Sequence, residues 1–328
     1  MINKIRIYRS TCVDPYRNLA IEKQLMDTTG ETECTLYLWQ NQNTVVIGHN
    51  QNAWVECRTT LLAQERGKLA RRLSGGGAVF HDTGNLNFTF LVTKENYDLD
   101  KQLSVIQKAC AKAGIVAEKS GRNDLLAEGA KFSGNAFYNN KTHAYHHGTI
   151  LVDVNMDKLS RYLSPSKAKL ESKGVASVRS RVINLKELAP ELTIERMATY
   201  MIEAFEEVYG CKATKATLTE TDLTAIDATA KEYGSWEYLY GTSLPFSFTC
   251  EARYPWGGIQ LQLESKQGRV ENVKVYSDSM DWALPEVIEK ALTGCRFALN
   301  AMQEALRNAI EDTEVANDLC ALLSKQQL

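Results

Sequence analysis

The sequence predicts an α+β protein in two units, a large one over residues 1–245 and a smaller one over 246–328. Three observations support this. At 328 residues, a prior of about 150 residues per domain gives roughly two. Short β-rich runs bounded by turn residues alternate with helix-period segments through the first two-thirds of the chain. After Pro245 the pattern starts afresh as three strands and two helices. That stretch of about 80 residues is long enough to fold as a module.

Taken in order, Lys4–Arg9 reads as a strand and Asn18–Met26 as a helix, by its apolar spacing. Thr35–Trp39 and Thr44–Gly48 are β-rich, and Gln40–Asn43 between them suggests a hairpin. Thr59–Glu65 reads as helix, stopped at Gly67. Leu69–Arg72 is a short extended run and Ser74–Gly77 a glycine turn. Ala78–His81 and Leu86–Val92 are strands with Asp82–Asn85 as the turn. Lys101–Ala113 is an amphipathic helix ended by Gly114, and Lys131–Tyr138 with Ala144–Val154 form a hairpin across Asn139–Thr142. From Asp157 to Lys186 periodicity fades into helix fragments and a long surface loop. Ile194–Tyr209 and Asp222–Tyr233 are helices. In the second unit Phe246–Arg253, Ile259–Glu264 and Val270–Tyr276 are strands, and Pro285–Thr293 and Leu299–Ile310 helices.

Composition narrows the function classes. A net charge of −2 gives no general attraction to nucleic acid or to an anionic membrane. No run of about 18 apolar residues is present, so no membrane span is expected, and the N-terminal MINKIRIYRS does not read as a signal peptide. The eight cysteines lack CxxC spacing and fit reduced thiols in a cytoplasmic protein.

Four stretches carry chemistry. Arg71–Asp82 reads RRLSGGGAVFHD. Consecutive glycines weaken strands, and their use is close backbone approach or positive φ. A glycine turn with free N–H groups suits phosphate or carboxylate oxygens, and the guanidinium groups of Arg71 and Arg72 suit anions. A flexible turn flanked by surface arginines is the plainer reading. The spacing matches neither a dinucleotide fingerprint nor a Walker loop.

Gly121–Gly134 reads GRNDLLAEGAKFSG. Asn123 and Asp124 offer oxygens to Mg²⁺, and Lys131 could meet charge developing at phosphorus. The alternative is an Asn-Asp turn and a solvated lysine. In HHGT, at His146–Thr149, adjacent histidines point to opposite strand faces and cannot grip one metal together. Lys158–Lys186 holds eight Lys or Arg residues against one acid, Glu171. It fits a solvated loop, or equally a lid or docking surface for an acidic partner.

Together these stretches resemble the lipoate–protein ligase A family from end to end. The resemblance rests on DPYRNLAIE, TVVIGHNQNAWVEC, LARRLSGGGAVFHDTGNLNFTF, SGRNDL, KFSGNA, HHGTILV and KGVASVRSRVINL. It implies a large domain of the biotin/lipoyl ligase fold, mixed sheets flanked by helices, with a small α+β accessory domain. It also implies two steps. Lipoate and ATP, with Mg²⁺, give lipoyl-AMP; a lysine of a lipoyl carrier domain then takes the acyl group. The implied carriers are the E2 subunits of 2-oxoacid dehydrogenases and the glycine-cleavage H protein, with no permanently bound cofactor.

By position, the resemblance makes Lys131 the residue that contacts both lipoyl carboxyl and phosphate. It gives Arg72, Ser74, Gly76, Gly77, Ala78, Val79 and Phe80 to ATP or the adenylate, with Asn123, Asp124, His147, Gly148 and Thr149. Trp39, Val79 and His81 fall in the lipoyl slot, and Asp124 beside Mg²⁺. The LLAEGA linker between Asp124 and Lys131 is shorter than in some members, which should reshape the loop near the nucleotide. One alternative is an octanoyl or lipoyl transferase of the same fold. That enzyme needs a nucleophilic cysteine, and none lies between Lys131 and Leu185. Another is a non-catalytic protein that binds lipoyl domains through the basic stretch.

Overall fold

The computed structural model describes residues 2–121, 123–163, 182–240, 248–266 and 269–325. Its strands are β1 (Lys4–Arg9), β2 (Glu33–Trp39), β3 (Thr44–Ile47), β4 (Lys68–Arg71), β5 (Val79–His81), β6 (Asn85–Thr93) and β7 (Glu118–Ser120). They continue with β8 (Asp124–Ala127), β9 (Ala130–Asn139), β10 (His143–Leu151), β11 (Thr214–Lys215), β12 (Phe248–Tyr254), β13 (Gly257–Lys266) and β14 (Arg269–Ser277).

The large sheet runs β11-β1-β2-β6-β10-β9-β8-β7. β1 is parallel to both its neighbours, and the remaining pairs are antiparallel. A small sheet, β4-β3-β5, lies apart from it. Thr35–Trp39 and Thr44–Gly48 are therefore not a hairpin: β2 and β3 belong to different sheets. Gln40–Asn43 carries the chain between them. Its Asn41 is fully buried, bonded to Asn18 and to His81, so the segment is a packed crossover. The β9–β10 hairpin forms as expected.

Side chains alternate across the large sheet. Leu36, Leu38, Phe88 and Phe90 pack on one face beneath the Leu99–Lys112 and Ile194–Tyr209 helices. Both helices are closed by local chemistry. Asp98 and Thr193 cap their N-termini through side-chain oxygens, and Gly210 ends the second in the left-handed region, at φ 70°. Each fully buried Leu or Phe there contributes about 1.5–3 kcal/mol.

The opposite face carries Tyr37, Trp39 and Leu91, packed by Leu19, Leu25 and Met26 of the Pro15–Asp27 helix. Proline in the first turn and the Asp14 carboxylate, which accepts from the Tyr16 and Arg17 amides, start that helix. This second face is only partly covered, and several of the candidate site residues gather on it.

Residues after 248 form sheet β12-β13-β14, with the helices Leu284–Leu292, Leu299–Ala309 and Thr313–Ser324 around their own core of Leu261, Val275, Ile288 and Leu319. The last helix was not foreseen. Backbone contacts tie this unit to the first: Ser277 N donates to Asn50 O at 2.8 Å and Gly76 N to Ser279 O at 3.1 Å. Trp282 packs at a tilt against Tyr138, with ring centres 5.3 Å apart. Most of the basic stretch, residues 164–181, lies outside the described residues, as does the boundary expected near residue 246.

Candidate active site

Strand register lays two rows of side chains on the partly covered face. Thr149, Asn87 and Trp39 are directly opposite one another on β10, β6 and β2. Ala136, His147, Thr89 and Tyr37 form the next row across β9, β10, β6 and β2. The small sheet and its glycine turn lie above them. The resulting cleft has a volume of about 320 Å³.

Lys131 stands on β9 at one end. Its Nζ is 2.6 Å from Asp124 Oδ1, with the two side chains 33% and 36% exposed. It lies over Gly134, where an added Cβ would sit 3.0 Å from Nζ. Asp124 and Lys131 come together because LLAEGA is a tight hairpin. Glu128 and Gly129 turn at φ 50° and 74°, which brings β8 antiparallel to β9. The short linker is thus two strand ends and a turn, and Asp124 begins β8. Asn123 donates from Nδ2 to Asn135 O at 3.0 Å, and both residues reach the cleft.

The two arginines diverge, as strand neighbours must. Arg71 turns away from the cleft. It donates to the carbonyls of His49, Gln51, Tyr238 and Leu239 at 2.6–3.2 Å. It holds three segments together and is not an anion ligand. Arg72 lines the cleft, yet its donors are also engaged: Nε to Ser74 Oγ at 3.1 Å, Nη1 to Val46 O at 3.2 Å, and Nη2 to Gly75 O and Gly77 O at 2.7 and 2.8 Å. Its guanidinium shapes the glycine turn from within and sets a fixed positive charge beneath it. Burial lowers its pKa to about 10, so the charge persists at neutral pH.

The glycines answer to close approach. A Cβ on Gly75 would lie 2.3 Å from Ser279 O, and Gly76 sits at φ +87°. The Gly76 amide is spent on Ser279 O, so it is not a free donor as the sequence had suggested. Gly76, Gly77, Ala78 and Val79 line the cleft. Phe80 alternates away and packs on Tyr162, ring centres 5.5 Å apart. His81 returns to the cleft edge-on to Trp39. Burial, then the Arg72 charge, lowers its pKa to about 3, so the ring is neutral.

His146 and His147 face opposite ways. His146 packs among Phe88, Phe90 and Phe137 with Nε2 2.8 Å from Asn135 Oδ1. His147 lines the cleft with Gly148 and Thr149, and lies 2.8 Å from both Glu22 and Ser74. Ser74 itself is fully buried behind the cleft wall. Among the described residues no group of three or more His, Cys, Asp or Glu is placed to hold a metal.

Sequence reasoning missed Leu19, Val46, Asn87, Asn135 and Ala136 in the walls, and Arg253, Asp278 and Met280, contributed by the smaller unit. Glu22 was missed too. Its signal was present: an acid at helical spacing from Leu19 and Met26, on a stripe that should be apolar.

Comparison with known proteins follows the same outline. A family model described as the lipoyl protein ligase A/B catalytic domain matches residues 14–206, and one described as the bacterial lipoate protein ligase C-terminus matches residues 243–321. A lipoate-protein ligase A from Bdellovibrio bacteriovorus is 39% identical over 315 residues, covering 93% of this chain and 92% of its own. The crystal structure of P. falciparum LipL1 in complex with lipoate superposes with a TM-score of 0.85 at 24% identity, covering 98% and 99% of the two chains. A bipartite ligase from Thermoplasma acidophilum, solved in a study of an archaeal lipoylation system and its E2 lipoyl domain, gives 0.66 at 23% identity, over 76% and 100%. Both likenesses concern the fold.

Proposed function

The chain belongs to the lipoyl protein ligase A/B family, and we propose that it ligates lipoate to protein with ATP and that the cleft between the large sheet and the β4-β3-β5 sheet is where both half-reactions occur. The observation that carries this reading is the convergence of Lys131, Arg72 and the glycine turn on one cavity whose other walls include Leu19, Trp39, Val46 and Val79.

The chemistry follows from charge. A carboxylate and a triphosphate repel, and preorganised cations lower the barrier to their meeting. In our reading the acyl chain occupies the apolar wall at about 0.8 kcal/mol per buried CH₂. Its carboxylate then points toward Lys131, which also faces the α-phosphate. The carboxylate oxygen bonds to phosphorus and pyrophosphate leaves, giving lipoyl-AMP. Asp124 holds the Lys131 ammonium in place until the anions arrive. The amine of a carrier lysine next attacks the acyl carbon and AMP departs.

A single carboxylate beside a phosphate site fits Mg²⁺, which is commonly held by one or two carboxylates plus substrate phosphates. Asp124, with Asn123, would hold the ion, which would offset the triphosphate charge. We further propose residues 1–245 as the catalytic unit and 246–328 as the accessory unit. Lipoyl domains of E2 subunits and the H protein are the proposed carriers. The eight free cysteines support a reducing, cytoplasmic setting. No described helix is long and apolar enough to cross a membrane. None of the cysteines lines the cleft, which disfavours a thioester route.

The test is lipoate-dependent exchange of labelled pyrophosphate into ATP, followed by transfer to purified apo carrier domains. Exchange that does not depend on lipoate, or acyl transfer without ATP, would overturn the reading.

A further inference from the structure

Behind the cleft wall runs an unbroken chain of hydrogen bonds that ends on a buried acid. Trp39 Nε1 donates to Thr89 Oγ1 at 3.1 Å, and Thr89 donates to Glu22 Oε1 at 2.7 Å. His147 Nδ1 lies 2.8 Å from the same Glu22 oxygen, and His147 Nε2 lies 2.8 Å from Ser74 Oγ. Arg72 Nε donates to Ser74 Oγ at 3.1 Å. All six residues are buried, none more than 6% exposed.

The proton positions follow by elimination. An indole N–H only donates, so the Thr89 proton is available for Glu22. A carboxylate only accepts, so the proton of His147 must sit on Nδ1. Nε2 is then an acceptor and takes the Ser74 hydroxyl proton. A lone pair on Ser74 Oγ accepts from Arg72 Nε, which also reaches Gly75 O at 3.1 Å. In this arrangement every hydrogen-bonded contact along the path pairs a donor with an acceptor. With a proton on Nε2 instead, Ser74 would face donors on both sides and its own proton would lose its acceptor.

The order Glu-His-Ser resembles a hydrolytic triad, but Ser74 has no exposed surface and cannot meet a substrate. What the chain does reach is Arg72, whose Nη2 grips Gly75 O and Gly77 O.

We infer that Glu22 is a positioning residue for the nucleotide-binding turn: its buried carboxylate fixes the His147 tautomer, and through Ser74 it sets the Arg72 guanidinium that shapes Gly75–Gly77. Glu22 touches no reacting atom. It supplies the remote negative charge opposite a buried cation, and it ties the orientation of the turn to the Pro15–Asp27 helix and to β6. The kinetic part of this inference rests on the lipoate-ligase reading; the structural part does not.

The test has two arms. ¹⁵N NMR of the histidine side chains is tractable with five histidines in the chain, and it should find His147 in the Nδ1–H tautomer in the unmodified protein. In lipoate-dependent ATP–pyrophosphate exchange, Glu22→Gln should lower kcat by about 10–100-fold, the range for loss of a partner one step behind a ligating group, with little change in either KM. Ser74→Ala breaks the same chain elsewhere, so the double variant should be no worse than the more damaged single one. Ser74→Thr, which keeps the hydroxyl, should retain most of the activity. An Nε2–H tautomer in the unmodified protein, additive losses, or a Glu22→Gln enzyme of normal kcat would each overturn the proposal. Absence of lipoate-dependent exchange in the unmodified enzyme would instead refute the ligase reading and leave the NMR arm standing.

Discussion

Replacing Lys131 by Met removes the ammonium that faces both proposed anions, and the structure sets the size of the effect. Loss of a single preorganised donor at a site of developing charge costs about 10²–10³ in rate. A second penalty comes from the partner left behind, because Asp124 Oδ1 now stands 2.6 Å from a vanished cation. Unit charges 4 Å apart are worth about 4 kcal/mol at an effective dielectric of 20. With both side chains one-third exposed, screening reduces this to about 1 kcal/mol, or roughly fivefold. Lys131→Met should therefore lose about 500- to 5,000-fold in kcat for lipoyl-AMP formation. The assay is lipoate-dependent ATP–pyrophosphate exchange, with circular dichroism confirming the fold. Near-normal adenylate formation by Lys131→Met would refute the assignment.

Three further outcomes are expected. Gly75→Ala must push a Cβ away from Ser279 O, so hydrogen exchange at the Gly76 amide should quicken about fivefold, matching loss of a bond worth roughly 1 kcal/mol; unchanged protection would contradict the contact. Arg71→Met orphans several buried carbonyls and should cost about 3–5 kcal/mol in denaturant unfolding, while a similar loss in ATP affinity at low temperature would show that Arg71 is a ligand after all. His81 and His146 are held neutral by burial, with pKa about 3 against 6.5. Below pH 6.5 the unfolded chain takes up protons that the folded chain refuses, so stability falls with falling pH. Between pH 7 and 5 the pair should cost about 4 kcal/mol, and His146→Asn should halve that slope in urea titrations.

The parts of the fold that could be read from sequence were those fixed locally. Ile194–Tyr209 has an unbroken apolar stripe between Thr193 and Gly210, and β9–β10 has alternating strands around a polar turn; both formed as expected. Gln40–Asn43 misled because a polar four-residue link looks the same in a hairpin and in a crossover between sheets. Only the burial of Asn41 distinguishes them, and that depends on partners far along the chain. The Thr313–Ser324 helix was passed over, although Asp312 caps it.

The site divides in the same way. Residues within the quoted stretches, such as Lys131, Arg72 and His147, could be named from sequence, but not the partners that hold them. RRLSGGG gives no hint that Arg71 and Arg72 point apart, nor that the glycines are needed for contact with Ser279. Arg253, Asp278 and Met280 reach the cleft only because the smaller unit docks beside it, and nothing in their local sequence announces that.

The most direct test of the account is rapid quench of enzyme mixed with ATP and lipoate, with the bound acyl species identified, followed by a chase with apo carrier domain. The account predicts one enzyme-held lipoyl-AMP formed with one pyrophosphate, then an amide on the carrier lysine as AMP is released. Acyl found on a cysteine of the enzyme, or carrier modified with no adenylate along the way, would contradict it.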